Sequence, residues 1–433
     1  MATAEQTQAG GAREDLWIAS GLRTPFAKVD GALAGFDAIA LSVPTARAMV
    51  DALDGAKPDL AVWGAVAPNL GWSNLAREVM LDAKLDPSIP AFSTVMACAT
   101  SMMSAIEAAG MLDGRGRHLA LAGGVESMSH IQIGLTQTLS DWLRHFFDAR
   151  TLGQRVELLK DIQLREVKLY IPSITNRSTG KSMGEHTEEM AKTWHIPRAD
   201  EDALALESHQ RAVAAWKAGF FADIVIPFAG LDHDTIPRPD TSLEKLARLK
   251  PVFDRTSGQG SLTAGNASPL TDGSAAIWVA DGVGLQRVPD RFYRARLVDW
   301  EIGAIDLWHE GLLMAPAYCI PRLLARHDLH YEDIQLWEIH EAFSAQVLCH
   351  IKALQDRAFL RDKVGVDRDF GRFPQERMNP NGGSVALGHP FGATGARILS
   401  QAVKELSKHD LGARAIVSIC TDGGLGAVCL LER

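Results

Sequence analysis

Short apolar runs alternate with segments of helical periodicity in the first and the last third of the chain. This alternation constrains the fold more than any other feature, because strands that alternate with helices build an α/β fold around a largely parallel sheet. A helix is predicted over 99–112, where apolar residues recur at helical spacing. Strands are predicted at the apolar runs 16–20, 60–66, 92–97, 118–122, 334–339, 415–421 and 425–431.

The chain ends much as it begins, which indicates one unit used twice. Its 433 residues exceed what a single compact core accommodates. The runs 118–124 (HLALAGG) and 415–424 (AIVSICTDGG) both close on Gly-Gly, and the second leads into a predicted hairpin. Between the halves, residues 131–262 are rich in charge and helical pattern and show few strand signals.

Charge and cysteine content exclude several classes of function. A net charge of -9 argues against a protein that works mainly by gripping nucleic-acid backbone. Five cysteines without a CxxC pair fit neither a disulfide scaffold nor a structural zinc site. We expect a soluble protein of the reducing cytoplasm, since the sequence shows no secretory signal and no apolar run of membrane-spanning length. Residues 1–13 are expected to form a loose tail.

Cys98 stands between a predicted strand and a predicted helix. Its sulfur would lie near the free N–H groups of a helix N-terminus, a field that favours the thiolate and lowers the thiol pKa. The small residues that follow it (ATS) leave room for a substrate. This position favours a nucleophile, and the alternative is a buried, inert thiol.

His389 lies in a glycine-rich segment, 379–397, that is poorly suited to a packed helix. Glycine permits close backbone approach and positive φ. A histidine fixed by Pro390 on such a loop suits acid–base chemistry or donation to an oxyanion. The pattern GxxxxGK[ST] is absent, which argues against a phosphate-cradling loop. The alternative is a structural glycine turn with an incidental histidine.

His340 and Cys420 each end a predicted strand, and parallel α/β sheets place their sites at the carboxyl ends of strands. His340 and Glu341 do not begin an HExxH zinc motif, because residue 344 is Ser. Taken alone, His340 and Cys420 are each also compatible with a structural residue. The other cysteines lie in periodic apolar segments and are interpreted as core residues: Cys319, Cys349 and Cys429.

Seven motifs in one order resemble the thiolases, acyl-CoA acyltransferases that make or break a carbon–carbon bond next to a thioester. The resemblance runs from about residue 14 to the end, and GHPFGATGAR is its most specific part. The motifs are LRTPF (22–26), MACATSM (96–102), LAGGVESMS (121–129), TAGNASPLTDG (263–273), HEAFSAQ (340–346), NGGSVALGHPFGATGAR (381–397) and CTDGGLG (420–426).

Within this family the chain is most similar to the thiolase (beta) subunit of fatty-acid trifunctional enzymes. It has HEAF where many compact members have Asn-Glu-Ala-Phe, and it has MAC rather than RVC before the helix. It also has a long stretch, 131–175, before KSMGEHTEEMA, where trifunctional members carry a helical insertion. The resemblance implies a hydratase/dehydrogenase alpha subunit as a partner.

The resemblance implies a thiolase-like α/β fold with a duplicated α/β half, two layered mixed sheets and an inserted, mostly helical loop domain. The N-terminal half is expected over 14–126 and 262–288. The loop domain is expected over 127–261, and the C-terminal half over 289–433.

The resemblance also assigns roles to residues. Cys98 matches the acyl-accepting nucleophile, and His389 matches the group that takes its proton and then donates to the thioester oxygen. Cys420 matches the acid/base that acts on the acetyl-CoA carbon and on incoming CoA. His340 and His389 belong to the first oxyanion hole, and the backbone N–H groups of Cys98 and Asp422 form the second.

Two of these positions depart from the common family pattern. Asp422 stands where the family commonly has Gly, and a carboxylate near a forming oxyanion would oppose it unless it points away. His340 stands where many members have an Asn that holds a water, and a histidine can donate or accept directly.

The resemblance implies CoA and acyl-CoA as substrates and no permanently bound metal or redox cofactor. Cations that suit the CoA phosphates are Arg248, Lys250 and Arg255, in LARLKPVFDR, and the alternative is a solvated charged surface. Lys250 matches a position near the adenine nucleotide, Ser268 one near the pantetheine, and Met183 one on the acyl pocket.

The insertion 131–175 fits two amphipathic helices. Its basic face is weak, so membrane contact is less favoured than packing over the active site or on a neighbouring subunit.

The expected function is that of a 3-ketoacyl-CoA thiolase in fatty-acid β-oxidation, with a Cys98 acyl-enzyme and a homodimeric or tetrameric assembly. The nearest alternative is an acetyl-CoA C-acetyltransferase that acts on acetoacetyl-CoA. A ketoacyl-synthase-type condensing enzyme and a non-catalytic scaffold subunit are less favoured, because the set Cys98, His389 and Cys420 is complete.

Overall fold

The computed structural model describes residues 15–112, 116–161 and 167–433. The predicted tail 1–13 lies outside this range. The strands of the described chain are β1 (Trp17–Ala19), β2 (Ala27–Lys28), β3 (Leu60–Gly64), β4 (Ala91–Phe92), β5 (Leu119–Glu126), β6 (Gly134–Leu135), β7 (Leu169–Tyr170), β8 (Thr271–Ala280), β9 (Arg294–Ala304), β10 (Leu336–Ile339), β11 (Arg414–Thr421) and β12 (Leu425–Glu432).

Helices alternate with these strands in both halves, and α4 to α8 lie in the middle of the chain. They are α1 (Ala38–Asp51), α2 (Leu75–Asp82), α3 (Thr100–Met111), α4 (Gln137–Asp148), α5 (Leu152–Asp161), α6 (Met183–Thr193), α7 (Arg198–Lys217), α8 (Leu243–Ala247), α9 (Gly282–Leu285), α10 (Ala315–Arg326), α11 (Ser344–Leu354), α12 (Arg357–Phe359), α13 (Ser384–Leu387) and α14 (Thr394–Leu406).

The two halves of the sheet repeat one strand order. In the N-terminal half the neighbours are β3, β5, β8 and β1, and in the C-terminal half they are β10, β11, β12 and β9. In each set the first pair is parallel and the following two pairs are antiparallel. This repetition confirms the duplicated α/β unit. The pairing of β8 with β1 and β5 agrees with the assignment of 262–288 to the N-terminal half, while the exact domain boundaries stay predictions.

The expectation of a largely parallel sheet is wrong, because each half closes with a strand that returns antiparallel to its neighbours. The sheet is therefore mixed. The two half-sheets are also joined, since β1 pairs antiparallel with β9 and makes one continuous hydrogen-bonded path.

Layering follows from the alternation of side chains along each strand. On β11, Ala415, Val417 and Ile419 belong to a core that also contains residues of α3, α14 and the N-terminal strands. Ile416 and Cys420 face a second core with α10 and α11. A third core lies between the N-terminal strands and α1 and α2. Helices α3 and α14 thus lie between the two half-sheets, and the expected layered architecture is confirmed.

The strand predicted over 92–97 is much shorter than expected, since β4 ends at Phe92. Side chains take over the backbone hydrogen bonds beyond it: the N–H of Met96 donates to Thr100 Oγ1 over 2.9 Å. Ala97 has a φ of 41°, a left-handed conformation outside any strand. The chain therefore turns sharply just before Cys98.

The insertion forms the two predicted helices, α4 and α5. The indole N–H of Trp142 donates to the carbonyl of Leu158 over 2.9 Å and ties the helices together. Phe147 and Leu152 remain 71% and 79% exposed. No helix in the described ranges combines the length and apolar character needed to cross a bilayer.

Candidate active site

A cavity of about 450 Å³ opens where the two halves of the protein meet. Its wall is mostly apolar and contains Cys98 from the N-terminal half together with His389, Cys420 and Asp422 from the C-terminal half. The ends of the insertion contribute Ile131 and Ile174, among other residues, to the same wall. The structure therefore brings three of the four predicted catalytic side chains to one cavity despite their distance in sequence.

Cys98 lies in a short turn, Ala97–Ala99, directly before α3. Two contacts hold this turn: the Thr100 hydroxyl donates to the Ala97 carbonyl over 2.8 Å, and the Thr421 hydroxyl donates to the Met96 carbonyl over 2.9 Å. Cys98 is half-buried. The predicted placement between strand and helix is correct, although the strand ends several residues earlier than expected.

The expected low thiol pKa of Cys98 is wrong. Burial, with the carboxylates of Asp422 and Glu126 as smaller contributors, raises its pKa to about 12. The backbone N–H groups of Cys98 and Asp422 act on the sulfur in the opposite sense, but they do not outweigh these effects. Cys98 is therefore a neutral thiol near neutral pH, and attack requires a partner that accepts its proton.

The glycines around His389 let the loop pass close to other backbone. Gly388 has a φ of +94°, and Gly392 lies so close to the Val125 carbonyl that a Cβ would stand 2.3 Å from its oxygen. The N–H of His389 donates to Thr271 Oγ1 over 3.1 Å. These contacts support the predicted rigid loop and fix the histidine against β8.

His389 is 3% exposed, and its Nδ1 lies 2.7 Å from Thr394 Oγ1. Its Nε2 is buried without a hydrogen-bond partner among the described residues. Burial lowers the pKa of His389 to about 3, with a contribution from the positive charge of Arg397. The imidazole is therefore neutral at physiological pH, which a proton acceptor requires.

His340 follows the end of β10 and is fully buried. Its ring centroid lies 4.2 Å from that of His389. One ring nitrogen of each histidine and the sulfur of Cys98 all lie within 4.8 Å of one another. Burial, followed by the neighbouring His389, holds the pKa of His340 well below its usual value.

Within the described ranges, the cluster of Cys98, His340 and His389 has a ligand set suited to a zinc ion. The same three side chains are, however, the predicted nucleophile (Cys98), oxyanion donor (His340) and base (His389).

Cys420 lies at the end of β11 and is 1% exposed. Burial raises its pKa well above the usual value, and the negative charge that Cys98 would carry raises it further. Cys420 is thus a neutral thiol within electrostatic reach of Cys98. A group of this kind can carry a proton but does not rest as a thiolate.

Asp422, the departure from the family pattern, has a carboxylate that is held by two donors. Its Oδ1 accepts from Asn176 Nδ2 and from the N–H of Gly423, each over 2.7 Å. Asn176 follows the insertion, so the loop domain is fastened to the site through this contact. The carboxylate still acts on Cys98 by raising its pKa.

The predicted CoA-binding residues do not all lie at the cavity. Met183 and Ser268 are on its wall, and the N–H of Ser268 donates to the carbonyl of Ala342 over 2.9 Å. Lys250 is exposed and is not among the residues that line this cavity. The roles of all three residues stay predictions.

Several residues that shape the site were not predicted. Glu126 is buried and accepts from the N–H groups of Val66, Ala67 and Gly392 over 3.0–3.1 Å, and burial raises its pKa to about 7. Its only sequence signal is its place in LAGGVESMS. Ser384 and Thr394, which contact the two histidines, and Arg397, which donates to Ser384, were also missed, although all three lie in NGGSVALGHPFGATGAR.

Two family models together match most of the chain. The family model described as the thiolase N-terminal domain matches residues 16–282, and that of the thiolase C-terminal domain matches residues 292–433. The 3-ketoacyl-CoA thiolase of Shewanella pealeana is 37% identical over 97% of this chain and 97% of its own length. The enzyme of the same name from Yersinia enterocolitica is 38% identical over 96% of both chains.

Two solved structures share the fold at lower identity. The Acat5 thiolase from Ascaris suum in complex with coenzyme A has a TM-score of 0.77 and 26% identity, with 97% of this chain and 100% of that chain covered. The acetyl-CoA acetyltransferase of Bacillus anthracis has a TM-score of 0.78 and 27% identity, with coverage of 97% and 99%.

Proposed function

Since the chain belongs to the thiolase family, we propose that it is a 3-ketoacyl-CoA thiolase of fatty-acid β-oxidation. It uses CoA to cleave a 3-ketoacyl-CoA into acetyl-CoA and a shortened acyl-CoA. One observation carries the proposal: Cys98 and Cys420, from opposite halves, meet at one mostly apolar cavity beside His389. A thiol nucleophile beside a neutral base suits a two-stage acyl transfer, and the second thiol can carry the proton that carbon–carbon cleavage requires.

The first stage begins with two neutral groups. As the sulfur of Cys98 attacks the 3-keto carbon, its proton passes to Nε2 of His389, which has a free position for it. The keto oxygen becomes an alkoxide, and the N–H groups of Cys98 and Asp422 are proposed to hold it. One such fixed donor contributes on the order of 3 kcal/mol to the transition state.

Collapse of the alkoxide breaks the C2–C3 bond and leaves the acyl chain on Cys98 as a thioester. The electron pair moves onto the departing acetyl-CoA as an enolate, whose thioester oxygen is held by His340 and His389. Cys420 gives its proton to the enolate carbon and becomes a thiolate. General acid catalysis of this kind contributes roughly 10²–10⁴-fold.

The second stage returns every group to its starting state. The Cys420 thiolate takes the proton of incoming CoA, and the CoA sulfur attacks the thioester carbonyl. Cys98 leaves as a thiolate and recovers its proton from His389. The apolar wall of the cavity excludes water, which would otherwise hydrolyse the acyl-enzyme.

A mass measurement tests this assignment. The protein is incubated with a medium-chain 3-ketoacyl-CoA without CoA, and the acyl adduct is weighed and mapped. We expect one acyl group on Cys98, released as acyl-CoA when CoA is added. Cys98→Ala should abolish the adduct, whereas Cys319→Ala, which changes a buried core cysteine, should retain it. Acylation that persists in Cys98→Ala would contradict the mechanism.

The second candidate is an acetyl-CoA C-acetyltransferase that acts on acetoacetyl-CoA, since one structural neighbour is named an acetyl-CoA acetyltransferase. The large apolar cavity favours longer acyl chains instead. Comparison of kcat/KM for acetoacetyl-CoA with that for medium-chain substrates separates the two. A condensing enzyme of the ketoacyl-synthase type would not need Cys420, so full activity of Cys420→Ala would favour it.

The assembly is part of the same proposal. We expect a homodimer or tetramer that acts in the cytoplasm, where Cys98 and Cys420 stay reduced, and that docks a hydratase/dehydrogenase alpha subunit. The exposed apolar side chains of α4 and α5 support contact with a partner. Light scattering of the purified chain gives the homo-oligomeric state, and co-purification with a candidate alpha subunit tests the complex. A scaffold role alone would be contradicted by turnover of the isolated chain.

A further inference from the structure

We propose that Ser384 is a positioning residue: its hydroxyl, oriented by Arg397, keeps the hydrogen of His340 on Nε2. His340 then presents an N–H donor to the substrate thioester oxygen. The role in catalysis rests on the proposed function, but the position of the His340 hydrogen can be measured without turnover.

Two contacts define the direction of the hydrogen bonds. Ser384 is fully buried; its Oγ accepts from Arg397 Nη2 over 2.6 Å and lies 2.9 Å from Nδ1 of His340. Arg397 can only donate, so the serine hydrogen is free for another acceptor. In the described part of the chain, His340 Nδ1 is the one acceptor within hydrogen-bond distance of that hydroxyl.

A buried hydroxyl hydrogen without an acceptor is unfavourable, which selects one arrangement. Ser384 donates to Nδ1 of His340, and Nδ1 must therefore be unprotonated. A neutral imidazole carries one hydrogen, so that hydrogen is on Nε2. This Nε2 is buried and makes no hydrogen bond to any described residue, which leaves it free for a ligand.

His389 is held in the opposite state by a different hydroxyl. Thr394 Oγ1 donates to the carbonyl of Pro390 over 3.0 Å, which uses its one hydrogen. It can then only accept from Nδ1 of His389, 2.7 Å away. Nε2 of His389 is thus unprotonated, and its lone pair is suited to accept the Cys98 proton. The rings of His340 and His389 have centroids 4.2 Å apart. The Ser384 hydroxyl makes His340 a hydrogen-bond donor at Nε2, and the Thr394 hydroxyl makes His389 an acceptor at Nε2.

Arg397 supports this arrangement by its charge as well as its hydrogen bond. It is 2% exposed and its positive charge lowers the pKa of both His340 and His389. Arg397 therefore disfavours an imidazolium at either position, and each ring keeps the single hydrogen that its hydroxyl partner directs.

A nuclear magnetic resonance experiment tests the hydrogen position in the substrate-free protein. The chain is labelled with ring-¹⁵N histidine, and the His340 signals are identified by their loss in His340→Asn. We expect a protonated Nε2 and an unprotonated, hydrogen-bonded Nδ1. In Ser384→Ala the Nδ1 resonance should move downfield, because its donor is gone. A protonated Nδ1 in the wild-type protein would overturn the proposal, whether or not the protein proves to be a thiolase.

A kinetic cycle tests the role in turnover. Ser384→Ala should lower kcat about tenfold to a hundredfold with little change in KM, part of the ~10²–10³-fold lost when one oxyanion donor is removed outright. In a His340→Asn background the same change should have almost no effect, because an amide N–H does not depend on Ser384. Equal losses in both backgrounds would overturn the coupling to His340.

Two further measurements separate this role from general damage. The rate at which iodoacetamide alkylates Cys98 should be unchanged in Ser384→Ala, since His389 keeps its own partner. Ser418→Ala is the matched control, because Ser418 is also buried but its hydroxyl has no hydrogen-bond partner among the described residues. It should keep wild-type kcat. Loss of Cys98 reactivity in Ser384→Ala would indicate a disturbed site and contradict the assignment.

Discussion

The hydroxyl of Thr421 donates to the carbonyl of Met96 over 2.9 Å. This single contact links the last residue of β11, in the C-terminal half, to the turn that carries Cys98. Because Cys420 precedes Thr421, the same strand end carries one predicted catalytic thiol and restrains the other.

Thr421→Val keeps the shape of the side chain and removes that hydrogen bond. We expect a loss of about 1 kcal/mol in the free energy of unfolding and a fall in kcat on the order of tenfold, below the ~10²-fold effect of a full 1 Å displacement. Urea denaturation and steady-state kinetics measure the two effects. Thr45→Val is the control, since the buried Thr45 hydroxyl has no described partner; an equal loss of kcat there would contradict the interpretation.

Asp422→Asn should make Cys98 more reactive. The Asp422 carboxylate raises the pKa of Cys98, so its removal lowers that pKa and increases the thiolate fraction at any pH below it. The alkylation rate at pH 8 should therefore rise several-fold. In the wild-type protein the rate should climb by about tenfold per pH unit from 7 to 9, because the pKa lies near 12. A plateau in that range would indicate a preformed thiolate–imidazolium pair. Asp141→Asn, on the insertion, should leave the rate unchanged.

Gly392→Ala should disrupt the loop that carries His389. A Cβ at Gly392 would meet the Val125 and Gly64 carbonyl oxygens at 2.3 and 2.9 Å, so backbone must move. We expect destabilisation of about 1–3 kcal/mol and loss of most activity. Gly110→Ala is the matched control, because nothing lies within 4 Å of its Cβ position in α3; it should gain about 0.5–1 kcal/mol. Normal activity of Gly392→Ala would show that the loop tolerates displacement.

Glu338 should make stability fall as pH rises. Burial raises its pKa from 4.5 to about 8 in the folded protein. The folded state therefore holds the proton more tightly than the unfolded state, and this contribution is full below pH 4.5 and is lost by about pH 8. Glu338→Gln does not titrate, so its Tm should drop less than that of the wild type between pH 5 and pH 8. Glu157→Gln, at an exposed site, should behave like the wild type; identical pH profiles of Glu338→Gln and wild type would contradict the prediction.

Local sequence patterns were sufficient to predict those elements that a single apolar run or a single motif determines. The apolar runs before Cys420 and His340 identify β11 and β10, and the repeated pattern identifies the duplicated unit. The run before Cys98 predicted too long a strand, because the Thr100 hydroxyl, rather than a neighbouring strand, binds the N–H of Met96.

Properties that depend on several residues far apart in the sequence could not be predicted from local patterns. The thiol pKa of Cys98 was predicted with the wrong sign, since burial and the charge of Asp422 outweigh the local N–H groups. The bond between Ser384 and His340 joins residues that no periodicity relates. Both the pKa and the hydrogen bond depend on which residues are neighbours in the folded chain, and composition and spacing do not give that information.

The position of β1 has a consequence for biosynthesis. In chain order β1 precedes the other described strands, yet its two neighbours are β8 and β9. At ~5–20 residues per second, translation reaches them roughly 15–50 s later. Until then β1 has neither of its edges paired, and the N-terminal half cannot complete its sheet. An unpaired strand edge can pair with the wrong strand, so β1 carries that risk until β8 and β9 have been synthesised.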